Sequence, residues 1–474
     1  MPTVLPPPRT GILPSYTESS VTTRLVAFIR VKTAERFDMS FYTLSIAILL
    51  GACVSAQFGD FKQNFGYVNV REGSHMFYWL FYTTASVTNY TERPLLVWLQ
   101  GGPGRSSTGE GNFDVIGPLD LSLQKRDYTW VNNFNVLFVD SPVGTGFSYV
   151  EDLKYLTETN DEIALDFVEL MKGFYRSNPE FERVPLYIFG QSYGGKMAID
   201  IGIRMSEAER AGTIKLNLLG VAMGNALIHP VDAILSWGPM LLAAGLVDQE
   251  GYEHIQESAR EAERLFNAGF YVNSTMQWSQ TQQAVFRRTT RVDFYNIFNK
   301  IEVFSPYSLS AYEIARDTMI RDMPYTSTRQ QLNLTTLMNT KVKEALRIPE
   351  KVVWESQRSD VYDKLRADFM KPVTERIEKL LNETNIIVMK CNGNLDIICN
   401  TPGQLAWVDR LKWSGAEEYR NTERRPIWEN NRLEGYYKSF RNFRFFWINA
   451  AGHVVASDNP AGANAFLRDM TSFG

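Results

Sequence analysis

Short runs of consecutive apolar residues, each closed by glycine, proline or a small polar residue, recur along this chain. Residues 95–100 (LLVWLQ), 135–139 (NVLFV), 186–189 (LYIF), 218–223 (LLGVAM), 385–390 (NIIVMK) and 443–448 (FRFFWI) are continuous rather than alternating. That is the pattern of strands buried on both faces. Residues 61–87 instead alternate aromatic with polar side chains, which suits antiparallel strands at a sheet edge. Helical stretches lie between the buried runs. In 161–177, Ile163, Phe167, Leu170 and Phe174 share one face. Asp161 or Asn160 is placed to cap that helix, and Asn178-Pro179 to end it. Met197, Ile199, Ile201, Ile203 and Met205 mark a largely apolar segment, read as a buried helix. Strands alternating with helices predict an α/β fold with a mostly parallel central sheet, whose ligand site lies at the carboxyl ends of the strands. From about residue 230 the strand-like runs fade and charged helical stretches such as 249–266 take over. The expected division is core from 57 to 230, an inserted helical cap from 231 to 347, and core again from 348 to 474.

Length and charge narrow the function without fixing it. The 474 residues carry 49 basic and 53 acidic side chains, a net charge of −4, so there is no basic surplus for nucleic-acid binding. Residues 39–56 (MSFYTLSIAILLGACVSA) read as a secretory signal peptide: a short apolar run, 41–54, then small residues at a cleavage site. The run is shorter than the roughly 20 residues a membrane-spanning helix needs. Residues 1–38 are expected to be an extension upstream of the true start at Met39; the alternative is a disordered tail ahead of an uncleaved anchor. A secreted or lysosomal destination would make Asn89, Asn273, Asn333 and Asn382, each in an N-x-S/T triplet, glycosylation sites. Cys53 would leave with the signal. Cys391 and Cys399 would remain, able to bridge but too few for a disulfide framework.

The chemistry centres on Gly190-Gln191-Ser192-Tyr193-Gly194, a G-x-S-x-G between a buried strand and a helix. A serine at such a turn is held with its hydroxyl exposed, and glycines flank it where backbones pass closely. The positive end of the helix then faces any oxyanion formed there. The competing reading is a plain glycine-rich strand-to-helix turn. Gly101-Gly102-Pro103-Gly104 ends another strand and can offer a second backbone donor; a phosphate-binding loop would need a lysine and a serine or threonine at a spacing this stretch lacks. A serine hydroxyl needs a base. Of the four histidines, His75 lies in the edge strands, His254 in the helical insertion and His229 just ahead of it. Only His453, after the last strand, fits the serine–acid–histidine order of α/β-hydrolases. Asp396 follows the strand at 385–390 and is the acid that would orient the imidazole. Asp360, Asp363 and Asp409 read as helical, and Asp458 comes after the histidine. No metal or cofactor is expected.

WLQGGPG at 98–104, DSPVGTGFSY at 140–149, GQSYGG at 190–195, NLDIICN at 394–400 and GHVVASDNP at 452–460 together resemble the serine carboxypeptidase family. The wording is nearest its retinoid-inducible branch, and the likeness runs over roughly residues 60–474. The resemblance implies an α/β-hydrolase fold with an inserted cap. It implies Ser192 as nucleophile, His453 as general base and Asp396 as its acid. The backbone N–H groups of Gly102 and Tyr193 would form the oxyanion hole, and peptide or protein C-termini would be the substrate. Family members place glutamate before the nucleophile and before the I/L-G-P turn, to bind the substrate's terminal carboxylate. Here those positions are Gln191 and Val115, and Gln100 supplies the remaining amide. A glutamine amide donates at any pH, whereas valine donates nothing. Arg105 replaces a cysteine, placing a cation beside the loop. These departures keep two other readings open: an esterase or acyltransferase using the same triad, and a catalytically silent secreted homologue. A homodimer is left open as the oligomeric state.

Overall fold

The computed structural model describes residues 58–299 and 328–474. The upstream extension, the signal peptide and Cys53 lie outside the described residues.

Each buried run becomes a strand because neighbouring side chains along it enter opposite cores. Leu95, Val97 and Leu99 join one apolar cluster, and Leu96 and Trp98 join the other. With both faces covered, alternation disappears from the sequence. In chain order the strands are β1 (Gln63–Arg71), β2 (Ser74–Phe81), β3 (Leu95–Leu99), β4 (Asn135–Val139), β5 (Tyr149–Val150), β6 (Leu186–Gln191), β7 (Leu218–Gly224), β8 (Ile387–Gly393), β9 (Arg425–Glu429), β10 (Arg432–Phe440) and β11 (Phe443–Ile448). They form one sheet in the order β1-β2-β4-β3-β6-β7-β8-β11-β10-β9, with the two-residue β5 beside β2. From β4 to β11 every pairing is parallel. The edges are antiparallel: β1 and β2 on one side, β9 and β10 on the other.

The helices that matter below are α1 (Asn160–Ser177), α2 (Tyr193–Arg210), α3 (Gln249–Asn267), α4 (Tyr271–Thr289), α5 (Thr374–Glu383), α6 (Thr401–Asp409) and α7 (Pro460–Thr471). Between β7 and β8 the described residues add no strand to the sheet and are largely helical, with α3 against α4. The expected cap falls within this excursion.

Two local expectations are corrected. The cap of α1 is Thr159, whose side chain accepts from the N–H of Glu162 at 3.2 Å, and Asn160 and Asp161 are inside the helix. The strand expected at 385–390 runs from Ile387 to Gly393. Its second half holds two buried polar side chains, Lys390 and Asn392, that satisfy each other at 2.7 Å. Their polarity hid the strand's true end. Cys391 and Cys399 are buried free thiols, so the bridge left open between them is not formed.

Candidate active site

Ser192 follows β6 directly and precedes α2. Its backbone is at φ 58°, ψ −125°, a region that costs a residue with a side chain on the order of 1–3 kcal/mol. Three hydrogen bonds hold it: its N–H donates to Gly224 O at 2.9 Å, and its carbonyl accepts from Gly195 N and Leu227 N, both at 3.1 Å. The flanking glycines are required by space. A methyl on Gly190 would lie 2.0 Å from Gly194 O, and one on Gly194 would lie 2.3 Å from Leu99 O. Gly101, at the end of β3, presses on the turn itself, since a methyl there would meet Ser192 Cβ at 2.6 Å.

Asp396 follows β8 and His453 follows β11, and these two strands are parallel neighbours. Their loops bring His453 Nδ1 to Asp396 Oδ2 at 2.7 Å, with both side chains fully buried. A carboxylate can only accept, so it fixes Nδ1 as the protonated nitrogen and leaves Nε2 as the basic one. The histidine's backbone N–H donates to Tyr295 O at 2.6 Å, and the Tyr295 ring lies 5.2 Å from the imidazole. Asp458 Oδ2 accepts from Gly452 N at 2.7 Å and so steadies the histidine loop. The other histidines sit elsewhere: His75 bonds Asn69 and Glu151, His229 pairs with Asp232, and His254 contacts Glu250 O and Arg288.

Sequence reading missed Asn225. It follows β7 at φ 40°, buried, and its Nδ2 donates to Asp396 Oδ2 at 2.8 Å while its Oδ1 accepts from Gly393 N at 3.1 Å. A polar residue at the carboxyl end of a buried parallel strand was the available signal, because that is where ligand-site residues collect.

Gly102 and Tyr193, the two expected backbone donors, lie on the loop and the helix that meet at Ser192. Tyr193 is the first residue of α2, so its N–H has no partner within the helix. Gly102, at φ 110°, lines a cavity of about 20 Å³ together with Ser192, Arg105, Tyr295, Phe369 and Cys399. The loop after it is anchored by fully buried Asp140, at the end of β4. That carboxylate accepts from Ser106 Oγ (2.8 Å), Thr108 N (3.0 Å), Thr108 Oγ1 (2.7 Å) and Phe147 N (2.8 Å). Burial nonetheless pushes the Asp140 carboxyl above its ordinary range, against the pull of those bonds. Arg105 is not a free cation in the cavity: its Nη1 pairs with buried Glu110 at 3.1 Å.

Gln100 and Gln191 meet. Gln100 Oε1 accepts from Trp98 Nε1 at 2.8 Å, its Nε2 donates to Gln191 Oε1 at 3.4 Å, and Gln191 Nε2 donates to His453 O at 3.0 Å. A primary amide has a second N–H, so each glutamine retains donor capacity for a ligand. Val115 is buried among apolar residues and offers none. Asn89, Asn273, Asn333 and Asn382 are all exposed. Among the described residues no helix is long and apolar enough to cross a membrane.

A mostly parallel sheet, a strained serine where β6 meets a helix, and a buried acid–histidine pair whose members follow the second and third strands beyond it define a member of the α/β-hydrolases. The solved yeast prohormone-processing carboxypeptidase Kex1 shares this fold, at TM-score 0.74 and 21% identity over 87% of this chain and 91% of that one. Within that class the chain belongs to the serine carboxypeptidase family, whose profile matches residues 55–472. It is 40% identical over 426 residues to the mouse retinoid-inducible serine carboxypeptidase, covering 89% of this chain and 94% of the relative. It is 36% identical over 428 residues to Arabidopsis thaliana serine carboxypeptidase-like 51, covering 87% and 92%. The protein is therefore a serine-type carboxypeptidase, a hydrolase acting on peptide substrates.

Proposed function

We infer that Ser192, His453 and Asp396 form the catalytic triad of this carboxypeptidase. The observation that carries this is the 2.7 Å pair between His453 Nδ1 and Asp396, buried at the same end of the sheet as the strained Ser192. His453 Nε2 takes the Ser192 proton as Oγ attacks the carbonyl of the last peptide bond. The N–H groups of Gly102 and Tyr193 receive the oxyanion, each worth about 2.7–4 kcal/mol by analogy with single oxyanion-hole donors. His453 then protonates the departing amino acid, and water, activated by the same nitrogen, hydrolyses the acyl-enzyme.

Gln100 and Gln191 bind the substrate's terminal carboxylate through their free amide hydrogens. Neither titrates, so recognition does not require an acid medium. Exposure of all four N-x-S/T asparagines supports glycosylation in the secretory or lysosomal route. The loss of a donor at Val115 favours a second reading in which the same triad turns over esters.

The test is release of free amino acids from N-blocked dipeptides by wild type and by Ser192→Ala. Release that vanishes in the variant is expected. Turnover of small esters with no peptide cleavage would move the assignment to an esterase, and inertness towards both would remove the catalytic reading.

A further inference from the structure

Beneath the Ser192 turn, three side chains with no part in the chemistry above meet in the interior. Lys196, in the first turn of α2, pairs with Asp368 Oδ2 at 2.8 Å; their side chains are 1% and 10% exposed. Asp368 belongs to the short helix Arg366–Phe369 in the excursion between β7 and β8. The same Oδ2 accepts from the Tyr193 hydroxyl at 2.9 Å. The lysine ammonium lies 5.1 Å from the centroid of the Tyr193 ring. Phe369, the next residue, stacks on that ring with centroids 6.3 Å apart and planes at 11°, and lines the cavity in front of Ser192.

A buried ion pair is a poor way to gain stability, because desolvation offsets most of the attraction, but it does fix geometry. Here one carboxylate holds two things at once. It holds the first residue of the nucleophile helix by its hydroxyl. Through the backbone it also holds the aromatic wall of the cavity. Lys196 keeps that carboxylate charged: burial alone would raise the Asp368 carboxyl, and the lysine beside it brings it below the ordinary range.

We propose that Asp368 and Lys196 are positioning residues that set the oxyanion donor Tyr193 and the Phe369 wall together. One contact then governs both the rate of acyl transfer and the shape of the cavity wall that a substrate side chain meets in front of Ser192. The proposal rests on the reading of Tyr193 N–H as an oxyanion donor.

The experiment uses the full chain, with Tyr193→Phe and Asp368→Asn beside wild type. Each is measured for its melting temperature, for its rate of inactivation by a neutral aryl phosphonate ester, and for kcat and KM on two blocked dipeptides with phenylalanine or alanine as the penultimate residue. Tyr193→Phe keeps the ring and the backbone N–H. It should stay folded and lose about tenfold in both kcat and inactivation rate, with KM within about twofold, as for an interaction made in the transition state. Asp368→Asn should lose at least as much and discriminate less between the two dipeptides. A folded Tyr193→Phe whose kcat and inactivation rate match wild type would overturn the proposal, whether or not Asp368→Asn folds. Wild type that takes no label would overturn the nucleophile assignment and the proposal with it. Labelled wild type with unchanged variants would overturn the proposal alone.

Discussion

Asn225 Nδ2 donates to Asp396 Oδ2 at 2.8 Å, and His453 Nδ1 reaches the same oxygen at 2.7 Å. The asparagine therefore sets the direction from which the acid meets the imidazole. Its own side chain is pinned by Gly393 N, so β7, β8 and the acid's loop are locked as one unit. Replacing it by alanine removes a hydrogen bond to a charged group, worth about 1.5–3 kcal/mol. Asn225→Ala should lower kcat by roughly tenfold to a hundredfold with KM little changed, a split that steady-state kinetics on a blocked dipeptide will show.

Gln191 offers a pH test. Its amide donates to His453 O and has a second hydrogen, the one proposed above to meet the substrate's carboxylate. A glutamate there donates only while protonated. Gln191→Glu should therefore match wild type near pH 4–5 and fall progressively behind it as the pH rises to 7. Equal kcat/KM profiles for the two proteins would show that residue 191 does not contact the substrate's carboxylate.

Asp114 makes stability itself pH-dependent. Burial first, and Glu110 nearby second, push its carboxyl up to about 7, against the pull of Arg126. An unfolded aspartate titrates near 3.9. Between those values the folded state holds a proton that the unfolded state has lost, so stability falls as the pH rises. The contribution is complete below about pH 4 and gone above about pH 7. Melting temperatures taken from pH 4 to 7 should decline in wild type, and Asp114→Asn should flatten that decline.

Space, rather than charge, governs Gly101. A methyl there would overlap Ser192 Cβ at 2.6 Å and Gln191 O at 2.8 Å, and both contacts are part of the strained turn. Gly101→Ala should abolish activity and cost at least the 1–3 kcal/mol or so of an overpacked core. A drop in melting temperature together with lost dipeptide cleavage would register both effects.

The core was legible because its strands are buried on both faces. β3, β4, β6, β7 and β11 appear as predominantly apolar runs without regular polar alternation, and their order with the intervening helices dictates a parallel sheet. Every motif predicted to carry chemistry sits at a carboxyl end of that sheet, as the pattern required. What stayed hidden is where polar residues are buried by satisfying one another. Lys390 and Asn392 disguise the end of β8, and Asn225 resembles an ordinary turn residue until its partners are known. The same holds for Lys196 and Asp368, separated by most of the excursion and joined only in space. β9 and β10 escaped because an edge ribbon with much of its surface half-exposed carries no apolar run.

Ser192 is proposed to be an activated nucleophile facing a formed oxyanion hole. Labelling the purified protein with an organophosphonate, beside a Ser192→Ala control, tests it most directly, because it assumes no substrate. One covalent adduct is expected on wild type and none on the control. A wild-type protein that takes no label between pH 4 and 8, or a control that labels equally, would contradict it.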